Sequence, residues 1–339
     1  MDYNEIPAYS PKDFKSDQYV RWCPGCGDHA VLNSLHKAMA QLGIKPCETA
    51  VISGIGCSSR LPYYMNTYGF HTIHGRGSAI ASGLKIANPE LSVWQITGDG
   101  DCLAIGGNHF IHIIRRNLNV KILLLNNKIY GLTKGQYSPT SDKGFVSKSS
   151  PYGTVEEPFR PGELTIGARG NFFARTIDVD LKMSVDMMVE AGKHKGAAVV
   201  EILQNCVIFN DNIYDSVLNK EVKDDKTIFL KHGEPMIFGK NKDKGLVLDG
   251  FDLKVVTIGK NGITEKDILV HDATCADNIL HYKLATMGGD LPLALGVIRA
   301  YSSPTYEEEL EKQIKEVQAK RPARTLKEYL LSGETWEVK

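Results

Sequence analysis

The sequence predicts an open α/β sheet that binds its ligand at the carboxyl ends of its strands. Three observations carry this. The run Val93-Trp94-Gln95-Ile96-Thr97 is β-branched and aromatic, as buried strands are, and stops at the sharp turn Gly98-Asp99-Gly100-Asp101. A helical pattern follows, with Leu103, Phe110, Ile113 and Ile114 apolar. Val120 to Leu125, apolar apart from Lys121, then ends at Asn126-Asn127. Asp99 and Asn127 each stand at the carboxyl end of a strand, the edge at which open α/β sheets bind ligands.

Taken in order, residues 1–16 read as an irregular lead-in. Arg21-Trp22-Cys23-Pro24-Gly25-Cys26-Gly27-Asp28 is a tight C-x-x-C loop. Val31, Leu35, Ala38 and Leu42 repeat at helical spacing, and Gly43 stops that helix. Ala50 to Ile52 is a short strand that ends in the Gly- and Ser-rich loop Ser53 to Arg60. His71 to Gly77 is a third such turn; the helix it opens carries small residues, Ser78, Ala79, Ala81, Ser82 and Gly83, suited to close packing on a sheet.

After Asn127 the pattern changes. Residues 131–162 hold four prolines and many Ser, Thr and Gly, a loop long enough to be functional or mobile. Leu181, Val185, Met188 and Val189 predict a helix capped by Asp180, and Ala197 to Leu203 a buried strand leading to Cys206. Residues 17–210 thus form the ligand-binding domain, and 211–339 a charged, less regular extension suited to subunit contacts. In it, Val255 to Ile258 reads as an edge strand. Thr305-Tyr306-Glu307-Glu308 is a capping-box start, and Leu310, Ile314 and Val317 stripe an amphipathic helix that Pro322 ends.

Forty basic residues balance forty acidic ones, so no nucleic-acid or anionic-membrane partner is indicated. No apolar run approaches the roughly 18 residues of a membrane span. The polar, acidic start is unlike a secretory signal, which gives a cytoplasmic location by default. Seven cysteines, an odd number in a long chain, argue against a disulfide framework.

Divalent-metal and diphosphate binding is the chemistry these residue types suggest. Mg²⁺ takes hard oxygen ligands and shares them with a substrate's phosphates. Asp99 offers a carboxylate, Asn127 an amide oxygen and Ile129 a carbonyl two residues on; Gly98 and Gly100 let the backbone approach a phosphate. Either half alone is an ordinary turn. The two together, 28 residues apart across one strand–helix–strand unit, resemble the thiamine-diphosphate motif, GDG followed by NN. Cys23, Cys26, Cys57 and Cys206 form a second set, able to bind Zn²⁺ or an iron–sulfur cluster, and spacing does not choose between them. Cys47, Cys102 and Cys275 read as small apolar residues.

W-C-P-G-C-G, S-G-I-G-C-S-S, H-G-R-G, G-D-G-D with I-G-G-N-H, and N-N-x-x-Y-G-L-T-K-G-Q occur in that order over residues 17–210. This pattern resembles the β subunits of 2-oxoacid:ferredoxin oxidoreductases, most of all the 2-oxoglutarate type. The resemblance implies a doubly wound, mostly parallel sheet, the diphosphate-binding half of a thiamine enzyme. It implies that Cys23, Cys26, Cys57 and Cys206 hold a 4Fe–4S cluster, and that Asp99, Asn127 and the Ile129 carbonyl hold Mg²⁺. It places Ile55, Gly56, Cys57, Ser58, His74, Gly98, Gly100, Asp101, Gly131, Leu132 and Thr133 around thiamine diphosphate.

The implied reaction is CoA-dependent oxidative decarboxylation of a 2-oxoacid to acyl-CoA and CO₂, or its reverse, with single electrons passing to ferredoxin. Pyruvate and branched-chain 2-oxoacids are the alternative substrates; a non-enzymatic zinc protein is the alternative of a different class. The chain shows no pyrimidine-binding domain, so the resemblance implies an α subunit that supplies it, as a heterodimer. His74 is a candidate orienting donor or a structural turn histidine. Arg60, beside the GCSS loop, is a candidate for the distal carboxylate of 2-oxoglutarate or an interface arginine, and Lys134 is a second candidate cation.

Overall fold

The structure, a computed structural model, describes residues 9–320 and 325–338. Eight strands form the central sheet. Their spatial order is Tyr68–His71 (β2), Thr49–Ser53 (β1), Ser92–Gly98 (β3), Val120–Asn126 (β4), then Ala198–Leu203, Phe172–Ile177, Leu293–Ala300 and Thr227–Leu230. All neighbours pair in parallel except Leu293–Ala300 with Phe172–Ile177.

Parallel strands need crossovers, and here helices cover both faces. One face buries Ala81, Phe110, Ile113 and Ile114 from the helices Gly77–Ala87 (α2) and Gly107–Arg115 (α4). The other buries Val31, Leu35 and Met39 from Asp28–Leu42 (α1), with Val185 and Met188 from Leu181–Lys193. Strands covered on both sides read as unbroken apolar runs, and every residue of β4 is buried. Lys121 survives within it because Nζ donates to Asn119 Oδ1 at 2.6 Å, to Gly196 O at 3.3 Å and to His194 O. Burial still pushes its ammonium down to about 7.

Several expected elements stand close to where the residues placed them. α1 stops at Gly43, whose φ of +65° is the left-handed cap that glycine takes without strain. Asp180 caps its helix by accepting from Met183 N, and Thr305 with Glu308 forms the capping box of the helix Tyr306–Ala319. The expected stop at Pro322 lies outside the described residues, as do residues 1–8 of the lead-in. Asp252–Thr257 forms the edge of a separate three-stranded antiparallel sheet, with Ile237–Phe238 and Lys244–Asp249 before it.

Two differences are physical. Gly98-Asp99-Gly100-Asp101 is not a free turn: β3 runs straight into a short helix, Asp99–Leu103 (α3), with Gly98 as its N-cap. That helix breaks at Ala104 before α4, and Gly106 closes on it so tightly that a Cβ there would lie 2.4 Å from Asp101 O. The sheet also continues past residue 210, since Thr227–Leu230 and Leu293–Ala300 belong to it. The run Leu293–Ala300 hid this: Gly296 at φ +95° and a bulge between Val297 and Arg299 break its periodicity. Its buried Arg299 is satisfied by Gly170 O, Cys275 O and His281.

Candidate cofactor site

Sequence succession reverses at β1, which lies between β2 and β3, and ligands of doubly wound sheets bind where such a reversal opens a crevice. A cavity of about 600 Å³ opens there. Its lining includes Ile55, Gly56, Cys57 and Ser58 from the loop after β1 and His74 from the turn before α2. Gly98 to Asp101 line it from β3 and α3, and Asn127, Ile129 and Tyr130 to Thr133 from the segment after β4. One edge therefore gathers all of the residues expected around the diphosphate.

Asp99 is 2% exposed. Oδ2 accepts from Thr140 Oγ1 at 2.6 Å and from Ser138 Oγ, while Oδ1 accepts no side-chain hydrogen bond among the described residues. Burial pushes its carboxyl up, so the ionised form needs a compensating charge. Asn127 Oδ1 accepts from Ile129 N at 3.2 Å across Lys128, whose φ is +54°. That left-handed residue folds the chain back so that Ile129 lines the cavity beside Asn127. A buried carboxylate with one open oxygen, an amide oxygen and a neighbouring backbone turn is a hard-oxygen donor set suited to Mg²⁺.

Asp101 plays a different part from Asp99. Its Oδ1 accepts from Ile55 N at 2.9 Å, His74 Nδ1 at 2.8 Å and Gly75 N at 2.7 Å, and its Oδ2 from Thr97 Oγ1 at 2.9 Å. It thus ties three loops together and shapes the cavity wall. Because Nδ1 of His74 donates to Asp101, Nε2 is the nitrogen left for the cavity, with a lone pair when the ring is neutral. The glycines divide the same way. Gly56 has φ +123° and open space before it. At Gly100 a Cβ would fall 2.2 Å from the Tyr130 ring, so this glycine admits an aromatic side chain rather than a phosphate. Tyr130 in turn donates its hydroxyl to Gly100 O at 3.0 Å.

The four cysteines converge behind this cavity. Cys57 lines it, and a Cβ on Gly131 would lie 3.7 Å from Cys57 Sγ and 3.5 Å from Cys206 Sγ. Cys26 N closes on Cys23 O at 3.1 Å, with Gly25 at φ +80°. Gln204 Nε2 reaches Cys26 Sγ at 3.4 Å, and Gly27 N bonds Asn205 O, which joins the C-x-x-C loop to the Cys206 segment. Burial pushes the Cys57 thiol up to about 12, with Asp28, Cys206 and Cys23 adding to it, and drives Cys26 up in the same way. Asp28, 2% exposed, is pushed up to about 7 by burial and by Asp178. Among the described residues no three His, Cys, Asp or Glu are gathered as a single metal ion requires.

Arg60 does not line the cavity. Its Nε donates to Tyr64 Oη at 3.2 Å and its guanidinium sits 5.9 Å from the Tyr63 ring centre. Lys134, exposed at φ +77°, does not line it either, and among the described residues no lysine or arginine does. Sequence reasoning missed Ser138, Thr140, Tyr130 and Asp28. The first two lie in the Ser- and Thr-rich loop after β4, and nothing in the chain's periodicity points them at Asp99.

Residues 54–202 match the family model of the thiamine pyrophosphate enzyme, C-terminal TPP binding domain. The 2-oxoglutarate oxidoreductase subunit KorB of Mycobacterium tuberculosis is 48% identical over 332 residues, 96% of this chain and 88% of that one. The 2-oxoacid:ferredoxin oxidoreductase 1 subunit beta of Aeropyrum pernix is 45% identical over 61% of this chain and 65% of its own. Among solved structures, a 2-oxoglutarate:ferredoxin oxidoreductase from Magnetococcus marinus, with 2-oxoglutarate, coenzyme A and succinyl-CoA bound, superposes with a TM-score of 0.77. It is 31% identical and covers 97% of both chains.

Proposed function

This chain belongs to the β subunits of the 2-oxoacid:ferredoxin oxidoreductases, and from that premise we propose that it serves the CoA-dependent oxidative decarboxylation of 2-oxoglutarate, or the reverse. The names of its relatives support 2-oxoglutarate over pyruvate or a branched-chain acid. Thiamine diphosphate, when bound, supplies a carbanion-stabilising electron sink. Asp99, Asn127 and the Ile129 carbonyl would hold Mg²⁺ on the diphosphate. His74, its ring fixed by Asp101, would present Nε2 to the reacting end. Ser58, Leu132 and Thr133 would shape the wall, and a partner subunit would close the pyrimidine side. CoA, the 2-oxoacid and ferredoxin are the remaining reactants.

One observation carries the redox part of this reading: Cys57 lines the cofactor cavity and, with Cys206, flanks Gly131. The sulfur basin and the diphosphate cradle share a wall, as one-electron transfer between them needs. Zn²⁺ requires its thiolates in contact around one ion at about 2.3 Å, whereas a 4Fe–4S cluster gives each thiolate its own iron and spreads them. The position of these thiols beside a carbanion-stabilising cofactor favours the cluster, since a structural zinc there would carry no electrons.

The test is iron, sulfide and thiamine content of the anaerobically purified complex, with activity on a 2-oxoacid panel. Four irons and one thiamine per chain, and a brown colour bleached by dithionite, are expected; zinc without iron overturns the reading. Because Arg60 is held by Tyr64 outside the cavity lining, Arg60→Met is expected to change activity on 2-oxoglutarate and on pyruvate alike, and a loss confined to 2-oxoglutarate would restore its specificity role.

A further inference from the structure

A second cavity, of about 490 Å³, lies on the far side of β4 from the cofactor site. Four cations line it, Lys128, Arg160, Arg175 and Lys226, against two carboxylates, Asp142 and Glu201. Two of the cations are neutralised in place: Lys128 Nζ sits 2.7 Å from Asp142, and Arg175 Nε 2.7 Å from Glu201. The other two are held more loosely or not at all. Arg160 reaches Glu163 only at 3.5 Å and Thr286 O at 3.1 Å, both through Nη1; among the described residues its Nε and Nη2 have no partner. Lys226 makes no ion pair among the described residues, although its helix neighbours do: Lys223 with Asp180 and Asp225 with Lys244. A concave site that offers one unpaired cation among the described residues, Lys226, and one only loosely paired through a single nitrogen, Arg160, can take an anion.

The floor of this cavity is wired to the first one. Arg175 and Glu201, both nearly fully buried, form an ion pair in mid-sheet, and such a pair is costly to bury unless every group is bonded. Glu201 Oε1 accepts from Asn126 Nδ2 at 2.8 Å. Asn126 Oδ1 lies 2.9 Å from Thr140 Oγ1, and Thr140 Oγ1 lies 2.6 Å from Asp99 Oδ2. The Thr140 hydroxyl has one proton for these two acceptors. A shift of Asn126 therefore changes which of them it serves, and with that the hydrogen bonding of Asp99.

We propose that this cavity binds a small polyanion, a carboxylate- or phosphate-bearing metabolite held between Arg160 and Lys226, and that its occupancy is felt at Asp99 through Glu201, Asn126 and Thr140. The anion site stands on the cavity and its cations alone. The coupling rests on the reading of Asp99 as a Mg²⁺ ligand.

Calorimetric titration of the thiamine-loaded complex with citrate, and separately with inorganic pyrophosphate, tests the site, the cofactor cavity being filled. Saturable binding of one probe is expected, and which one binds identifies the anion class. Arg160→Ala with Lys226→Ala should weaken it about tenfold or more, and Lys134→Ala should leave it unchanged. No binding of either probe, or binding indifferent to the double variant, overturns the site. The coupling is read as the Mg²⁺ concentration that half-restores thiamine diphosphate binding to the demetallated complex, with and without the probe. A severalfold shift that Thr140→Val abolishes is expected. Probe binding with no such shift overturns the coupling and leaves the site. Thiamine diphosphate binding that needs no Mg²⁺, or that Asp99→Ala does not alter, overturns the reading of Asp99 instead.

Discussion

The diphosphate cradle and the sulfur basin share a wall, yet they are built in opposite ways. In the cradle the shaping groups are bonded without any ligand: Asp101 takes four donors, and Asp99 Oδ2 takes two hydroxyls. In the basin, Asp28 Oδ2 and Gln204 Oε1 are buried with no hydrogen-bond partner among the described residues, and burial raises the thiols of Cys26 and Cys57 above their ordinary range. A buried polar atom left unpaired costs about 1–3 kcal/mol. The cradle is thus largely held by its own bonds, Asp99 Oδ1 apart, while the basin keeps unpaired polar atoms and neutral thiols that a positive centre would stabilise.

The largest effect expected from this contrast falls on the basin. Cys57→Ser or Cys206→Ser in the complex should lose iron and lower turnover by more than the roughly 10–100-fold typical of removing a group behind a metal ligand. Thiamine binding should survive, because the cradle is held by other bonds. Loss of iron and thiamine together would show that the two regions fold as one. Next in size is Asp99→Ala, expected to weaken Mg²⁺-dependent thiamine diphosphate binding by at least the roughly 10–100-fold typical of removing a group behind a metal ligand while iron content stays at the wild-type level. Equilibrium dialysis and iron assay on the same preparation separate the two outcomes.

These regions were not equally legible in the sequence. Strands β1, β3 and β4 are buried on both faces, so their apolar runs announced them, and the loops at their carboxyl ends followed. Asp99 and Asn127 were found because each terminates such a run. Ser138 and Thr140 reach Asp99 from a loop with no period to read, and the Leu293–Ala300 strand was concealed by a glycine and a bulge. The cysteines could be counted, but nothing in their spacing shows that Gly131 sits between Cys57 and Cys206. Likewise Gly100 looks like a phosphate-approach glycine until Tyr130 is seen against it.

That last case gives a smaller test inside the cradle. Gly100→Ala places a Cβ 2.2 Å from the Tyr130 ring, an overpacking that should cost about 1–3 kcal/mol and move Tyr130 from the cavity wall. Gly56→Ala meets no atom within 4 Å, so its cost is conformational alone, from φ +123°. If the cradle is pre-formed, Gly100→Ala should lower the melting temperature of the cofactor-free complex as much as that of the loaded one. A change seen only in the loaded form would mean that the cradle, like the basin, is completed by its ligand.

The smallest effect is expected from Tyr130→Phe. The ring stays, so the packing against Gly100 stays, and only the bond from the phenol to Gly100 O is lost. That carbonyl keeps a second donor, Ala104 N at 3.3 Å, so it is not orphaned, and the cost should fall at or below about 1 kcal/mol. The bond should also persist to high pH. Burial, with the charges of Asp99 and Asp101, pushes the phenol from its usual 10 up to about 12. It therefore stays a proton donor across the whole range in which the complex is handled. Spectroscopic titration of wild-type against Tyr130→Phe isolates this one phenol. A difference signal near pH 10 would mean that Tyr130 is solvated, and that the wall between cavity and helix α3 is looser than the contact with Gly100 requires.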